Sequence, residues 1–313
     1  MTDWKPSSDL EMLRNRAALL ENLRLFFSER DVMEVDVPAI ALATVTDPNI
    51  ESFFVASGIA SEPLYYLMTS PEFYMKRLLA AGTGAIYYLG KAFRAHDVGS
   101  RHLPEFTMLE WYRPEWTLRQ LLNEVEELVT GYLPEKIQKT TYKQIFLDHI
   151  GIDPLTIGLA ELKSLAHERL SPAFDTEDRT IWLELLFSHL VEPQLQGLVF
   201  VEQFPAAQAA LAKTFQDECG NSVASRFELY INGIEIANGY QEELDADVLA
   251  RRFADNLETR QRRGQLLPAV DEKFLEAMSF GMPACAGVAL GVDRLLMAIY
   301  GEKNIAAVVP FAL

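Results

Sequence analysis

The sequence predicts an α+β protein in which antiparallel strand pairs are flanked by helices. Two hairpin signals and three stretches of helical periodicity carry that expectation. In the first hairpin, FTMLEWY alternates with a period of two, which sets Phe106, Met108, Glu110 and Tyr112 on one face and Thr107, Leu109 and Trp111 on the other. YYLGKAFR reads as its partner strand, so Arg94 opens an eight-residue loop containing His96, Asp97, Arg101 and His102. Such a loop can hold a polyphosphate, although on these residues alone a solvated charged tip is the commoner reading. Glu110 sits mid-strand on an otherwise apolar face. A buried carboxylate is costly unless it is paired, so a cation is expected beside it.

The second hairpin is FELYINGIEIANGYQEE, with Asn232-Gly233 between two alternating runs. A two-residue loop sets Ile231 opposite Ile234, Tyr230 opposite Glu235 and Glu228 opposite Ala237. Glu228 and Glu235 are then diagonal neighbours on one face, about 7–8 Å apart. Oxygen-only ligands at that spacing suit Mg²⁺ or Mn²⁺ better than Zn²⁺, and an exposed acidic face is the alternative. Asn238, Gly239 and Glu242 are expected just beyond the strand, at a turn leading into a helix, where polar clusters more often bind than pack. In GVALGVDRLLMAIYG, Gly287 and Gly291 flank a short apolar strand and permit close approach, as a pocket floor requires. Arg294 then falls in the first turn of an apolar helix. The helix dipole disfavours a cation there, which hints at an anionic partner, while a plain surface arginine remains the other reading.

A chain of 313 residues with 49% hydrophobic content can bury a sizeable core, and no long linker divides it, so one domain is expected. Helical periodicity at 117–130 and 178–190 places a helical insertion over roughly 114–195. His149, His167 and His189 read as ordinary surface or core residues, and Cys219 and Cys285 as reduced packing residues. The chain has neither a basic leader followed by an apolar run nor a stretch approaching membrane-span length, so a cytoplasmic protein is expected. Its 28 Lys+Arg against 45 Asp+Glu give a net charge of −17, and nucleic-acid binders usually carry a basic patch.

These segments resemble, in order, the motifs of class II aminoacyl-tRNA synthetases, most closely the lysyl branch. FRAHDVGSRHLPEFTMLEWYR resembles motif 2 and GVALGVDRLLMAI motif 3, while the helix Leu10 to Arg30 followed by VMEVDVPAI resembles motif 1, with Pro38 as its proline. FELYINGIEIANGYQEELD and SPEFYMKRLL resemble lysyl-specific blocks. The resemblance implies the class II catalytic fold, an antiparallel β-sheet flanked by helices, and a homodimer paired through motif 1, whose LRNRAALLENLRLFF carries an apolar stripe. The chain begins directly at motif 1, which leaves no room for the N-terminal anticodon-reading barrel of lysyl-tRNA synthetases, so tRNA is not the expected acceptor. A stand-alone lysyl-type domain with LEWYRP after motif 2 is similar to the elongation factor P lysine ligase family. Members of that family attach lysine, preferentially (R)-β-lysine, to a lysine side chain of a translation factor that mimics tRNA shape.

Carried over by motif position, the resemblance implies ATP and Mg²⁺. Arg94 would be the catalytic residue, holding the α-phosphate and the substrate carboxylate. His102 and Arg294 would hold the outer phosphates, Phe106 would stack on adenine, and Glu228 and Glu235 would hold the metal. Glu110 and Glu242, with Tyr112 and Asn238 and with Glu72 nearby, would bind the substrate's amino groups. The sequence departs from the family at His96, where motif 2 usually has Glu; Asp97 stands next in the loop to take over that contact with ATP. Ala95 and Leu103 replace common asparagines. Ala289 replaces a usual Gly, and one methyl in a tight pocket is worth ~1–3 kcal/mol of discrimination. The rival readings are a class II ligase forming an amide on a free small molecule, and a catalytically silent paralogue serving as a binding module. Retention of Arg94, Phe106, Glu228, Glu235 and Arg294 together argues against decay.

Overall fold

A computed structural model describes residues 4–56 and 64–312. The chain divides into two compact units, Met1–Thr117 with Glu242–Leu313, and Leu118–Gln241. The first unit begins with α1 (Leu10–Ser28), β1 (Met33–Glu34), β2 (Ile40–Ala41), β3 (Phe54–Val55), β4 (Tyr65–Leu67), α2 (Glu72–Ala80), β5 (Ile86–Phe93) and β6 (Glu105–Pro114). The second unit holds α3 (Leu118–Thr130), β7 (Ile137–Thr141), α4 (Tyr142–His149), α5 (Leu159–Leu170), α6 (Arg179–Leu186), β8 (Leu198–Glu202), β9 (Thr214–Gln216), β10 (Ser222–Ala224), β11 (Arg226–Ile231) and β12 (Ile234–Gln241). The chain returns to the first unit as α7 (Ala246–Arg262), α8 (Glu272–Phe280), β13 (Cys285–Gly291) and α9 (Val292–Tyr300).

In the first unit β1, β5, β6 and β13 lie side by side. β1 is parallel to β5, and β6 is antiparallel to both β5 and β13. β6 is buried on both faces from Thr107 to Arg113, which is why its sequence is apolar on both faces apart from a few functional positions. Helix α1 starts at Asp9, whose carboxylate accepts the Met12 N–H at 2.8 Å. Its buried residues Met12, Arg16, Leu19, Leu23 and Phe27 recur every three or four positions and form one stripe. Phe27 stacks on Tyr87 at 4.6 Å and meets Trp111 edge-on at 5.2 Å, which fixes the helix against one face of the strands. The motif 1 strand expected to end at Pro38 is shorter, pairing only at Met33 and Glu34.

In the second unit β12, β11, β8 and β7 are neighbours. β11 is antiparallel to β12 and β8, and β7 is parallel to β8. Their core is built from α4, α5 and α6, where Tyr142, Phe146, Leu162, Trp182 and Leu186 pack with Val199 and Val201 of β8 and Tyr230 of β11. The helix expected over 117–130 is α3. The one expected over 178–190 is α-helical only to Leu186 and continues as a π-helical turn through Val191, just ahead of Pro193. α4 and β7 are too short to show a clear period in sequence.

The Asn232-Gly233 turn forms as read, with φ of 48° and 71°, and Ile231 opposes Ile234 and Tyr230 opposes Glu235. The register then shifts. Leu229 pairs with Ala237, so Glu228 faces Asn238 and not Ala237. Ile236 is the extra residue of a β-bulge and is buried. The bulge lets β12 run on to Gln241, so Asn238 and Gly239 lie within the strand and the following helix waits until Ala246. His149, His167 and His189 are all exposed. Cys285 is a buried packing residue, but Cys219 is exposed and not the packing residue expected. No helix among the described residues is long and apolar enough to cross a membrane.

Candidate active site

The densest group of buried charges lies in the first unit, on the face of β6 away from α1. Glu110 is 2% exposed, and its two oxygens accept from Tyr112 Oη at 2.7 Å and Ser70 Oγ at 2.8 Å. The cation expected beside it is not its direct partner. Two hydroxyls satisfy it, and Lys76 acts on it from farther away. Burial, reinforced by the charge of Glu72, pushes the Glu110 carboxyl up to about 8. Tyr112 is likewise raised well above its usual value, chiefly by burial and then by Glu110.

Lys76 itself is fully buried. Its Nζ lies 2.7 Å from Glu72 Oε1 and 2.6 Å from Glu242 Oε2. Glu72 and Lys76 are one helical turn apart on α2 and share a face. Glu242 follows the end of β12, and its N–H donates to the Cys285 carbonyl at 3.0 Å. Burial raises its carboxyl to about 7 against the opposing pull of Lys76. Three carboxyl groups therefore share a pocket with one ammonium, which contacts two of them directly.

Strand β13 forms the floor, with Gly287 opposite Tyr112 and Ala289 opposite Glu110. A Cβ at Gly287 would fall 2.5 Å from Glu242 Oε1 and closer still to the Tyr112 ring, so only glycine fits. Gly291 is different. A Cβ there meets nothing nearer than the Arg294 side chain at 3.8 Å, so close approach does not require glycine at that position.

A cationic group occupies the same unit. Residues 94–104 link β5 to β6, a longer loop than the eight residues expected, and it is closed by Arg94 N–H donating to the Pro104 carbonyl at 2.9 Å. The Arg94 guanidinium lies over the Phe106 ring at 5.2 Å, and its buried Nε has no hydrogen-bond partner. Arg294 at the start of α9 places Nη2 2.6 Å from His102 Nε2 and donates from Nε to the Arg101 carbonyl at 3.3 Å. His96 is exposed in the left-handed region at φ 68°, and Asp97 beside it is half-buried.

Beneath this group Asp293 accepts from Arg16 Nη1 at 2.6 Å and from the Thr107 N–H at 2.8 Å, while Arg16 Nη2 donates to Thr107 Oγ1 at 2.6 Å. This buried network ties α1, β6 and α9 together, and it holds the residues adjoining Phe106 and Arg294.

The second unit has its own acidic pair. Glu228 is 6% exposed. It accepts from Arg226 Nη2 on one oxygen and from Tyr230 Oη on the other. Burial raises the Glu228 carboxyl against the opposing pull of Arg226, and the charge of half-buried Glu235 adds to the rise. Arg226 also donates from Nε to Asn238 Oδ1 at 3.2 Å, so Asn238 is engaged beside the acidic pair. Among the described residues no group of three or more His, Cys, Asp or Glu is placed to form a complete metal cage. Mg²⁺ is commonly bound through one or two carboxylates plus substrate phosphates, and Glu228 and Glu235 supply that ligand type, with Arg226 and Tyr230 already on the two Glu228 oxygens.

Comparison with known proteins decides the family. A model described as tRNA synthetases class II (D, K and N) matches residues 2–313. The chain belongs to this class II synthetase family. Among its relatives is a protein from Yersinia enterocolitica serotype O:8 / biotype 1B named elongation factor P--(R)-beta-lysine ligase. It is 44% identical over 316 residues, covering 98% of this chain and 97% of the relative. A protein of the same name from Edwardsiella ictaluri is 43% identical over 321 residues, covering 100% and 98%. Within this class II synthetase fold the structure brings Glu72, Glu110, Tyr112, Glu242 and Ala289 together, sets Arg94 over Phe106, and pairs His102 with Arg294.

Several partners of the predicted residues escaped the sequence reading: Lys76 contacts Glu72 and Glu242, Ser70 contacts Glu110 and Arg226 contacts Glu228, while the Arg16–Asp293 pair touches none of them and only neighbours Phe106 and Arg294 in sequence. Only the four-residue spacing of Glu72 and Lys76 offered a signal, and that spacing more often marks a solvated surface pair.

Proposed function

We propose that the chain activates lysine or (R)-β-lysine with ATP and passes it to a lysine side chain of elongation factor P. The observation that carries this reading is the buried pocket in which Glu72, Glu110 and Glu242 outnumber Lys76, since it favours a ligand bringing more than one ammonium group. The names of the near-full-length relatives support the same substrate and acceptor.

In the first step a carboxylate oxygen of the amino acid attacks the α-phosphorus of ATP, and the bond to the pyrophosphate oxygen breaks. Arg94 holds the α-phosphate and the substrate carboxylate, with Phe106 against adenine and His102 and Arg294 on the outer phosphates. His96 and Asp97 border the nucleotide. Alignment and charge neutralisation supply most of the acceleration. Glu228 and Glu235 would hold Mg²⁺, which would supply neutralisation of phosphate charge. In the second step the acceptor ε-amine attacks the adenylate carbonyl and AMP leaves, so no protein nucleophile is required. With ATP, Mg²⁺ and (R)-β-lysine, elongation factor P should gain one lysyl unit by intact mass, in the cytoplasm as in the test tube. Efficient charging of tRNA-Lys with the factor left unmodified would overturn the reading.

The active form we propose is a homodimer paired through α1. A groove along that helix is lined by Ala17, Leu20, Leu25 and Val32 together with the charged Glu21, Arg24 and Glu34, and Leu25 is half exposed. Light scattering should read twice the 35.3 kDa chain mass at micromolar concentration, and particles of chain mass alone would refute the dimer.

A further inference from the structure

We infer that Lys76 is a positioning residue for substrate recognition, which bridges Glu72 and Glu242 and holds both in place as acceptors for the ammonium groups of a diamino acid. The inference rests on the reading that the pocket takes such a substrate. Nothing in the assigned chemistry uses Lys76, and yet it is the most deeply buried charge of the group.

A fully buried ammonium is tolerated only when carboxylates close to it repay the desolvation. Lys76 has two, at 2.7 Å and 2.6 Å, from elements far apart in sequence. Burial alone would favour the neutral amine, but the attraction of Glu242 and then of Glu72 outweighs it, and the ammonium is held above its usual range. Lys76 cannot swing away. Its helix α2 packs on α8, where Phe73 stacks on Phe274 at 4.4 Å. The titratable groups facing it are Glu72 on α2, Glu110 and Tyr112 on β6, Glu242, and Cys285 on β13. Of these, the bridge touches the two carboxylates that Tyr112 and Ser70 leave without hydroxyl donors.

The arrangement divides the labour. Glu110 is preorganised by hydroxyls, and Glu72 and Glu242 are preorganised by a built-in ammonium. Burial already lifts Glu242 to about 7, and Lys76 is what restrains it. Without the bridge Glu242 titrates higher still and is largely protonated near neutral pH. An incoming ammonium then has to displace a proton before it can pair, and that cost disappears as the pH rises through the new value.

The test is lysine-dependent pyrophosphate exchange by Lys76→Met across about pH 6.5 to 9. At neutral pH the KM for lysine should rise by about fivefold or more, and the gap from wild type should narrow toward the alkaline end. The KM for ATP should stay within about twofold. A wild-type lysine KM, or a defect of constant size at every pH, overturns the inference. Should Lys76→Met fail to fold, Lys76→Gln, whose amide can hydrogen-bond both carboxylates, carries the same comparison. Loss of ATP binding together with lysine binding in both variants means a structural role and overturns it equally. Absence of lysine-dependent exchange in the wild type would instead strike the proposed function, so the two failures are distinguishable.

Discussion

Asp293→Ala is expected to destabilise the fold by about 3–5 kcal/mol, the range for removing one partner of a buried ion pair. Asp293 and Arg16 are almost fully buried and meet at 2.6 Å, and the second Asp293 oxygen takes the Thr107 N–H at 2.8 Å. Truncation leaves the guanidinium without its countercharge and a strand amide without an acceptor. The Val308 carbonyl, 3.3 Å from Arg16 Nη1, is too weak a partner to replace the carboxylate. Denaturant unfolding measures the loss directly, and a variant within about 1 kcal/mol of wild type would show that the network does not hold the elements together. Replacing both members, Arg16→Met with Asp293→Leu, should recover much of the loss, because neither group is then orphaned. Phe106 adjoins Thr107 and Arg294 adjoins Asp293, so the KM for ATP should rise in the single variant even where it remains folded.

The same network shows where sequence reading stops. The period of two in FTMLEWY correctly set Glu110 and Tyr112 on one face, and their hydroxyl–carboxylate contact follows from it. The β5–β6 pairing and the Asn232-Gly233 turn were also legible, since both depend on neighbours within a few residues. What was hidden depends on contacts between distant segments. Asp293 was read only as the residue before Arg294, because Arg16 lies hundreds of positions away. Ser70 reaches Glu110 from the turn before α2, and nothing in a serine's identity announces that contact.

Lys76 and Arg226 were concealed differently. Each is a cation next to a recognised motif, where solvated lysines and arginines are common; Lys76 is set apart by its full burial and Arg226 by its contact with Glu228. The expectation of a cation for Glu110 was sound in its physics and wrong in its address: the pocket does contain a buried ammonium, but Glu72 and Glu242 take it. The bulge at Ile236 was illegible for a further reason. The adjacent apolar pair Ile236-Ala237 interrupts the alternation in IEIANGY, but that break alone does not say that a residue is inserted in the pairing or which residues then oppose.

Glu110→Gln is expected to lower kcat/KM for lysine in pyrophosphate exchange by on the order of tenfold to a hundredfold, which corresponds to losing one charge-assisted hydrogen bond of about 1.5–3 kcal/mol. In the free protein burial holds the carboxyl up to about 8, so near neutral pH it is largely protonated. A substrate ammonium reverses that balance, because an opposite charge at contact distance favours the carboxylate that Tyr112 and Ser70 already support. Glutamine keeps the size of the neutral acid and can still bond to both hydroxyls, but it cannot ionise. The sign with pH follows. Wild-type affinity for lysine should climb as pH rises through the raised Glu110 value, until the substrate's own amines begin to lose their protons, whereas the Gln variant should lack that climb. Nucleotide binding should be nearly unchanged, since Arg94, Phe106, His102 and Arg294 do not touch Glu110. Fluorescence titration with an ATP analogue, run beside the exchange assay, separates the two effects, and equal loss of ATP and lysine binding would show that Glu110 has been given the wrong ligand.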